Sequence, residues 1–270
     1  MHIKPKKSLG QNFLIDRNIG DKIVNSCGLH PDDIVFEIGA GRGELTRLIA
    51  QKVKLVYALE IDKRLYENLV QEFEGRANVK FINADILKFN LKKIKAGSIK
   101  IKVVGNIPYY ISSPIIEHLF QYSEMISDIF LTVQKEFAER ASSLPGTKKY
   151  GSFSCFVRYY SQPEILFNIS RSCFRPEPEV ASAFLHLSLR ETAPVQVDDE
   201  NALFKIIRAA FNKRRKTLRN SLEGVVGEGV LNEFFVSKNL DKNTRPERLS
   251  LEDFADILNL TAAELRYPTS

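Results

Sequence analysis

Tryptophan is absent from the 270 residues, cysteine occurs three times and histidine four. Cys27, Cys155 and Cys173 are odd in number and widely spaced. They build neither a disulfide framework nor a zinc pattern, and read as packing residues in a reducing compartment. His2, His30, His118 and His186 lack metal-like spacing, and no Ser-His-Asp arrangement offers machinery for hydrolysis. With 14 Gly, 11 Pro and 44% hydrophobic residues, the chain is neither collagen-like nor disordered. No run approaches the roughly 18 apolar residues of a membrane span. The start, MHIKPKKSLGQNFLID, has basic residues without an apolar stretch behind them, so a cytoplasmic protein without a secretory signal is expected.

Acid is also missing locally. Lys and Arg number 39 against 33 Asp and Glu, a net charge of +6. Between Lys205 and Arg219 lie seven cations and no acid, and between Lys88 and Lys102 six lysines and no acid. Such runs suit an anionic partner, although a single isolated run is more often a solvated face.

What is present is alternation. Strand-like runs at Ile34–Ile38, Leu55–Glu60, Val79–Asn83, Ile101–Gly105, Ile129–Val133, Glu164–Ile169 and Ala183–Leu189 are interleaved with helical periodicity. The helical stretches are Glu44–Val53, Lys63–Glu74, Pro114–Tyr122, Lys135–Ser143 and Ser152–Tyr160. This pattern predicts an α/β domain with a mostly parallel sheet, because parallel strands need a crossover. Past Leu189 and a linker around Pro194 the texture turns helical. Leu203, Ile206, Ile207, Ala210 and Phe211 form one stripe behind possible caps at Asp198 and Asp199, followed by helices near Val230–Asn239 and Leu251–Leu258. Two domains are predicted, residues 1–190 and a small all-helical module at 191–270.

In such sheets, ligands bind at the C-terminal ends of the strands. The first strand runs into Glu37-Ile38-Gly39-Ala40-Gly41-Arg42-Gly43-Glu44, where glycines let the backbone approach a ligand at a helix start. Glu60 ends the next strand about twenty residues on, where a carboxylate can accept from ribose hydroxyls. Asp85 follows the third strand and can accept from an adenine amino group. A dinucleotide fits this layout, but the spacing is G-x-G-x-G and Glu37 is an awkward neighbour for a pyrophosphate. S-adenosylmethionine tolerates both, and strand-end position alone does not settle the choice.

The fourth strand ends in Asn106-Ile107-Pro108-Tyr109. This resembles the (Asp/Asn/Ser)-x-Pro-(Tyr/Phe) motif of methyltransferases acting on exocyclic amino groups, and the longer Asn-Ile-Pro-Tyr-Tyr-Ile-Ser-Ser-Pro resembles ribosomal RNA small-subunit adenine N6,N6-dimethyltransferases. Lys7-Ser8-Leu9-Gly10-Gln11-Asn12-Phe13-Leu14, Gln134-Lys135-Glu136-Phe137-Ala138-Glu139-Arg140, Phe174-Arg175-Pro176-Glu177-Pro178-Glu179-Val180 and Arg214-Arg215-Lys216-Thr217-Leu218-Arg219-Asn220 are similar to further motifs of that family. The resemblance covers nearly the whole chain. It implies a Rossmann-like S-adenosylmethionine-dependent sheet with a helical C-terminal domain that docks RNA. The implied substrate is two adjacent adenosines near the 3′ end of small-subunit ribosomal RNA, dimethylated late in assembly of the subunit, with the enzyme a monomer.

Carried onto this sequence, the resemblance implies cofactor contacts from Asn12, Leu14, Gly39, Glu60, Asp85 and Asn106. Catalysis would fall to Asn106, Ile107, Pro108, Tyr109 and Phe174, and RNA contacts to Lys213, Arg214, Arg215, Lys216 and Arg219. The chemistry explains the residue types. The lone pair of an adenine amino nitrogen is delocalised into the ring, and acceptors for both amino hydrogens favour its localisation toward a methyl donor. Those acceptors would be the Asn106 oxygen and the Ile107 carbonyl, with Pro108 fixing the backbone. Tyr109 would stack on the extruded base and Phe174 would close its opposite face. No metal and no strong base are expected. Three alternatives carry less: a sister enzyme acting on large-subunit RNA, a non-catalytic RNA-binding factor on the same fold, and a nicotinamide-dependent oxidoreductase.

Overall fold

The structure is a computed structural model that describes residues 3–213 and 216–266. Among the described residues the strands are β1 (Phe13–Leu14), β2 (Ile34–Ile38), β3 (Leu55–Glu60), β4 (Val79–Asn83), β5 (Ile101–Asn106), β6 (Ile126–Gln134), β7 (Ser161–Ile169), β8 (Phe174–Arg175) and β9 (Ser182–Leu189). The helices are α1 (Arg17–Ser26), α2 (Glu44–Ile49), α3 (Lys63–Glu72), α4 (Ser112–Phe120), α5 (Lys135–Ala141), α6 (Ser152–Tyr160), α7 (Glu200–Phe211), α8 (Leu218–Leu222), α9 (Glu228–Ser237) and α10 (Leu251–Arg266). None of the helices in the described residues is long and apolar enough to cross a membrane.

Seven strands form one sheet in the order β4-β3-β2-β5-β6-β9-β7, parallel from β4 through β6, with β9 antiparallel to β6. All five residues of β2 are buried, as expected of a central parallel strand covered on both faces. From β2 the chain builds outward through β3 to β4, then returns to place β5 on the other side of β2. That reversal opens a crevice at the carboxyl ends of β2 and β5, where such sheets hold their ligands.

Three elements were absent from the pattern of the sequence. Helix α1 is short and polar, but Asp16 caps it by accepting from the Asn18 and Ile19 N–H groups. Strands β1 and β8 pair antiparallel, Leu14 opposite Phe174, and are too short to show any period. Together with Ile23, Val35, Leu45, Val104, Phe130 and Phe184, these two residues belong to the apolar cluster on one face of the sheet. Phe174 is fully buried. Leu14, expected at the cofactor, and Phe174, expected at the base, are here packed as core partners joining the N-terminal segment to the Phe-Arg-Pro loop.

The chain divides into two compact units, Met1–Ala138 with Gln162–Leu189, and Glu139–Ser161 with Arg190–Ser270. The expected boundary at residue 190 placed α6 with the first domain, whereas it belongs to the second unit. Its Cys155 and Tyr159, four residues apart on one face, enter the cluster of Leu203, Phe204, Ile207, Phe234 and Phe254, and Tyr159 meets the Phe204 ring edge-on at 5.1 Å. Asp199 caps α7 through the Ala202 N–H. Ser250 and Asp253 exchange hydrogen bonds at the start of α10, which extends well beyond the expected Leu258.

The buried clip between β1 and β8 gives the first prediction. Phe174→Ala should lower the stability of the first unit by about 3–5 kcal/mol through lost transfer and cavity terms, read by urea unfolding. A loss of turnover without loss of stability would return Phe174 to the catalytic set.

Candidate functional site

Gly39, Gly41 and Gly43 all have positive φ, at 75°, 60° and 80°, so the turn leaving β2 is closed to ordinary L-residues without strain. At Gly41 a Cβ would also stand 3.3 Å from the Phe13 ring. Glu60 anchors this turn from the end of β3. Its Oε2 accepts from the Gly41 N–H and its Oε1 from the Asp62 N–H, each at 2.8 Å. A carboxylate has about four lone-pair sites, so each oxygen keeps capacity for a ligand donor. Burial pushes the Glu60 carboxyl up, and the two backbone donors oppose that shift.

The cleft beside this turn is lined by Gly39, Glu60, Asp85, Asn106, Ile107 and Pro108 among others. Asp85 Oδ1 accepts from the Leu87 N–H at 3.0 Å, and Asp85 is only half-buried. Asn106, the last residue of β5, donates from Nδ2 to the Asn12 carbonyl at 2.8 Å. A carbonyl only accepts, so the amide nitrogen must face Asn12. The Asn106 oxygen is thereby left without a hydrogen-bond partner among the described residues.

The N-terminal segment is fastened over this cleft. Lys6 Nζ reaches Asp62 Oδ1 at 3.3 Å; Arg42 donates to the Ile3 carbonyl at 3.0 Å and lies 4.5 Å over the Phe13 ring. Arg64, followed by Lys6, holds the Asp62 carboxyl well below the usual carboxylate range.

The structure therefore brings Asn12, Gly39, Glu60, Asp85, Asn106, Ile107 and Pro108 together in one cleft. Leu14, Tyr109 and Phe174 do not line it. Tyr109 is half-buried with its hydroxyl hydrogen-bonded to Ser182 Oγ, and burial raises its pKa while Ser182 opposes the rise. Tyr110, unassigned from the sequence, lines the cleft instead and is 64% exposed. No periodicity separates two adjacent tyrosines; only the 3-10 turn Tyr109–Ile111 does. Sequence reasoning also missed Thr132, level with Asn106 on β6, whose buried hydroxyl has no partner among the described residues.

Glu37 requires another correction. It does not line the cleft; it lies beneath the turn, accepting from Thr46 Oγ1 at 2.6 Å. Its carboxyl is pushed up to about 7, first by burial and then by the charges of Glu44 and Glu60, against the Thr46 hydrogen bond. Its carboxyl faces Thr46 rather than the cleft.

Of the C-terminal cations, Lys213 and Lys216 are exposed, and Arg214 and Arg215 lie outside the described residues. Arg219 is engaged within its own unit. It donates to Asn232 Oδ1 at 2.6 Å, meets Glu228 at 3.5 Å and lies 5.4 Å over the Phe235 ring.

The sequence model of the family described as "Ribosomal RNA adenine dimethylase" matches residues 2–263. The chain belongs to the ribosomal RNA adenine dimethylase family. It is 42% identical over 269 residues to the "Ribosomal RNA small subunit methyltransferase A" of Lachnoclostridium phytofermentans, covering 97% of this chain and 93% of the relative. It is also 42% identical over 262 residues to the protein of that name from Caldanaerobacter subterraneus subsp. tengcongensis, covering 95% and 97%. Among solved structures, a dimethyladenosine transferase from Plasmodium falciparum superposes with a TM-score of 0.78 at 25% identity, over 93% of this chain and 98% of that one. The 23S ribosomal RNA methyltransferase ErmE shares the fold, with a TM-score of 0.74 at 24% identity over 93% of this chain and all of that one.

In this family member the buried acid generates a pH prediction. Folded Glu37 holds its proton to about pH 7, whereas its ordinary value is 4.5. The folded state thus binds more protons between those values, and this contribution to stability is lost as pH rises through that window. Relative to Glu37→Gln, the native protein should lose up to ~3 kcal/mol between pH 4.5 and 7.5, read by urea unfolding at each pH. A constant difference between the two proteins would show that burial does not hold the proton.

Proposed function

We propose that this protein transfers methyl groups from S-adenosylmethionine to the N6 nitrogens of adenosines in small-subunit ribosomal RNA. The product is N6,N6-dimethyladenosine at two adjacent positions near the 3′ end. The observation that carries this reading is the Asn106 carboxamide, its nitrogen committed to Asn12 and its oxygen left open in the cleft. The names of the relatives in Lachnoclostridium and Caldanaerobacter support the choice of the small-subunit RNA.

The donor set suits the cofactor. The glycine turn admits close backbone approach, Glu60 has acceptor capacity for ribose hydroxyls, and Asp85 can take an adenine amino group. When bound, S-adenosylmethionine supplies an electrophilic methyl group. The chain's own residues act on the other reactant. Asn106 Oδ1 and the Ile107 carbonyl accept the amino hydrogens of the target adenine, which orients its nitrogen and favours localisation of its lone pair. Pro108 fixes φ between these acceptors and the tyrosines, and the Tyr109 ring, steadied by Ser182, supports the extruded base. Lys213, Lys216, Arg214 and Arg215 pair with phosphates and set register without reading base identity. We place this activity in the cytoplasm, on an assembling small subunit and with the enzyme as a monomer.

Asn106→Ala should lose far more turnover than cofactor affinity, because the open oxygen serves the reacting nitrogen. Single-turnover methylation of unmodified small subunits, with mass mapping of the RNA, tests both residue and substrate; a near-normal rate would sink the mechanism. Asp85→Ala should weaken S-adenosylmethionine binding by about 1–3 kcal/mol, measured by calorimetric titration. It is a cleaner probe than Glu60→Ala, which also strips two backbone N–H groups of their acceptor. An unchanged affinity would remove Asp85 from the cofactor site.

A further inference from the structure

Between Asp85 and Glu117 the chain carries six lysines and no acidic residue. The stretch leaves the cleft at Asp85 and Ile86 and returns to it at Asn106. Its backbone is firmly seated: Ile86, Phe89, Leu91, Ile94 and Ala96 are buried. Phe89 stacks on Phe36 at 5.6 Å, and its carbonyl lies 2.9 Å from His118 Nε2. Asp85 and Asn90 cap two 3-10 turns, Ile86–Lys88 and Leu91–Lys93. With the apolar residues turned inward, Lys88, Lys92, Lys93, Lys95 and Lys100 are left exposed.

Several cations of this unit have carboxylate partners: Lys6 and Arg64 share Asp62, Arg47 meets Glu72, Arg171 meets Glu177, and Lys102 at the end of the run meets Asp33. The five exposed lysines of the run have no ion-pair partner among the described residues. An array of cations held in place by buried neighbours pairs with phosphates at low ordering cost, each lysine as a point charge. A membrane surface would find little to embed, since only Ile99, 42% exposed, stands among these lysines as an exposed large hydrophobe.

We propose that this lysine run, which descends from the cleft at Asp85 toward the start of β5, binds the phosphate backbone of the RNA strand flanking the methylated adenosine. The proposal rests on the reading above that the substrate is RNA. The test uses the full chain with Lys88, Lys92, Lys93 and Lys95 all replaced by Gln, and filter binding to unmodified small ribosomal subunits across a salt series. Binding should weaken about 10-fold or more at low salt, and the log-log salt slope should become shallower by about 0.7–0.9 per lost contact. Affinity for S-adenosylmethionine and the single-turnover rate at saturating subunits should be unchanged. An unaltered slope overturns the proposal. So does a lower saturating rate with an unaltered slope, which would place these lysines in the chemistry or the fold. Retention of the native protein on phosphatidylserine–phosphatidylcholine vesicles, with no slope change on RNA, would assign the face to a membrane and also overturn it. Binding slopes are read without turnover, so failure of the native protein to methylate small-subunit RNA would count against the functional reading alone.

Discussion

One hydrogen bond, from Asn106 Nδ2 to the Asn12 carbonyl, joins residues 94 positions apart and sets the polarity of the site. An amide on a strand end can present either its donors or its acceptor, and in the absence of a fixed neighbour it presents both by rotation about its last torsion. Asn12 removes that freedom. The same bond ties the N-terminal segment to the sheet, so the segment beside the cleft and the proposed substrate acceptor are positioned by a single contact. The other fastenings, Arg42 to Ile3 and Lys6 to Asp62, fix where the segment lies; the Asn12 bond alone also fixes what Asn106 offers.

The carboxylates around the switch point divide their work by surroundings rather than by type. Glu37 is sealed beneath the glycine turn and holds its proton up to about pH 7. Glu60 is also buried, but two backbone N–H groups support its charged form. Asp62 is held ionised by Arg64 and Lys6. Asp85 keeps solvent and an uncommitted oxygen. Four acids within a short reach of sequence thus give one packing group, one anchor that can also bind, one cap and one open acceptor.

Much of this was legible in advance, because the features concerned repeat at short range. Five-residue and six-residue apolar runs mark β2, β3 and β5, and a glycine turn and strand-end carboxylates follow directly from chain order. The motifs also name the cleft residues from Asn106 to Pro108. What escaped depends on contacts between distant positions. Nothing local distinguishes Phe174 as a core residue, since its burial is decided by pairing with Leu14. Arg219 reads as one more cation until Asn232 and Phe235 from α9 meet it. The α6 segment sits inside the alternating part of the chain, and only the aromatic face shared with Phe204 assigns it to the helical unit. Asn106 differs from these because its identity was legible while its polarity was not.

The layout of the sheet also argues for how the reaction avoids a base. Among the described residues lining the cleft, the only carboxylates are Glu60 and Asp85. They stand at the ends of β3 and β4, two and three strands from β5, or roughly 10 and 14 Å at the usual strand spacing. Among the described residues no histidine, lysine or cysteine lines the cleft, and the segment that forms its β5 side has no acid from residue 86 to residue 116. Proton removal before methyl transfer would need a basic group within hydrogen-bond reach of the amino nitrogen, and the groups at that strand end are amide and carbonyl oxygens. Such oxygens accept hydrogen bonds without taking the proton. Alkylation makes the nitrogen positive and therefore acidic, so its proton can leave to water after the methyl group arrives. In the proposed mechanism the acceptors have only to hold the amine in the geometry that exposes its lone pair, the task for which Asn12 would set Asn106.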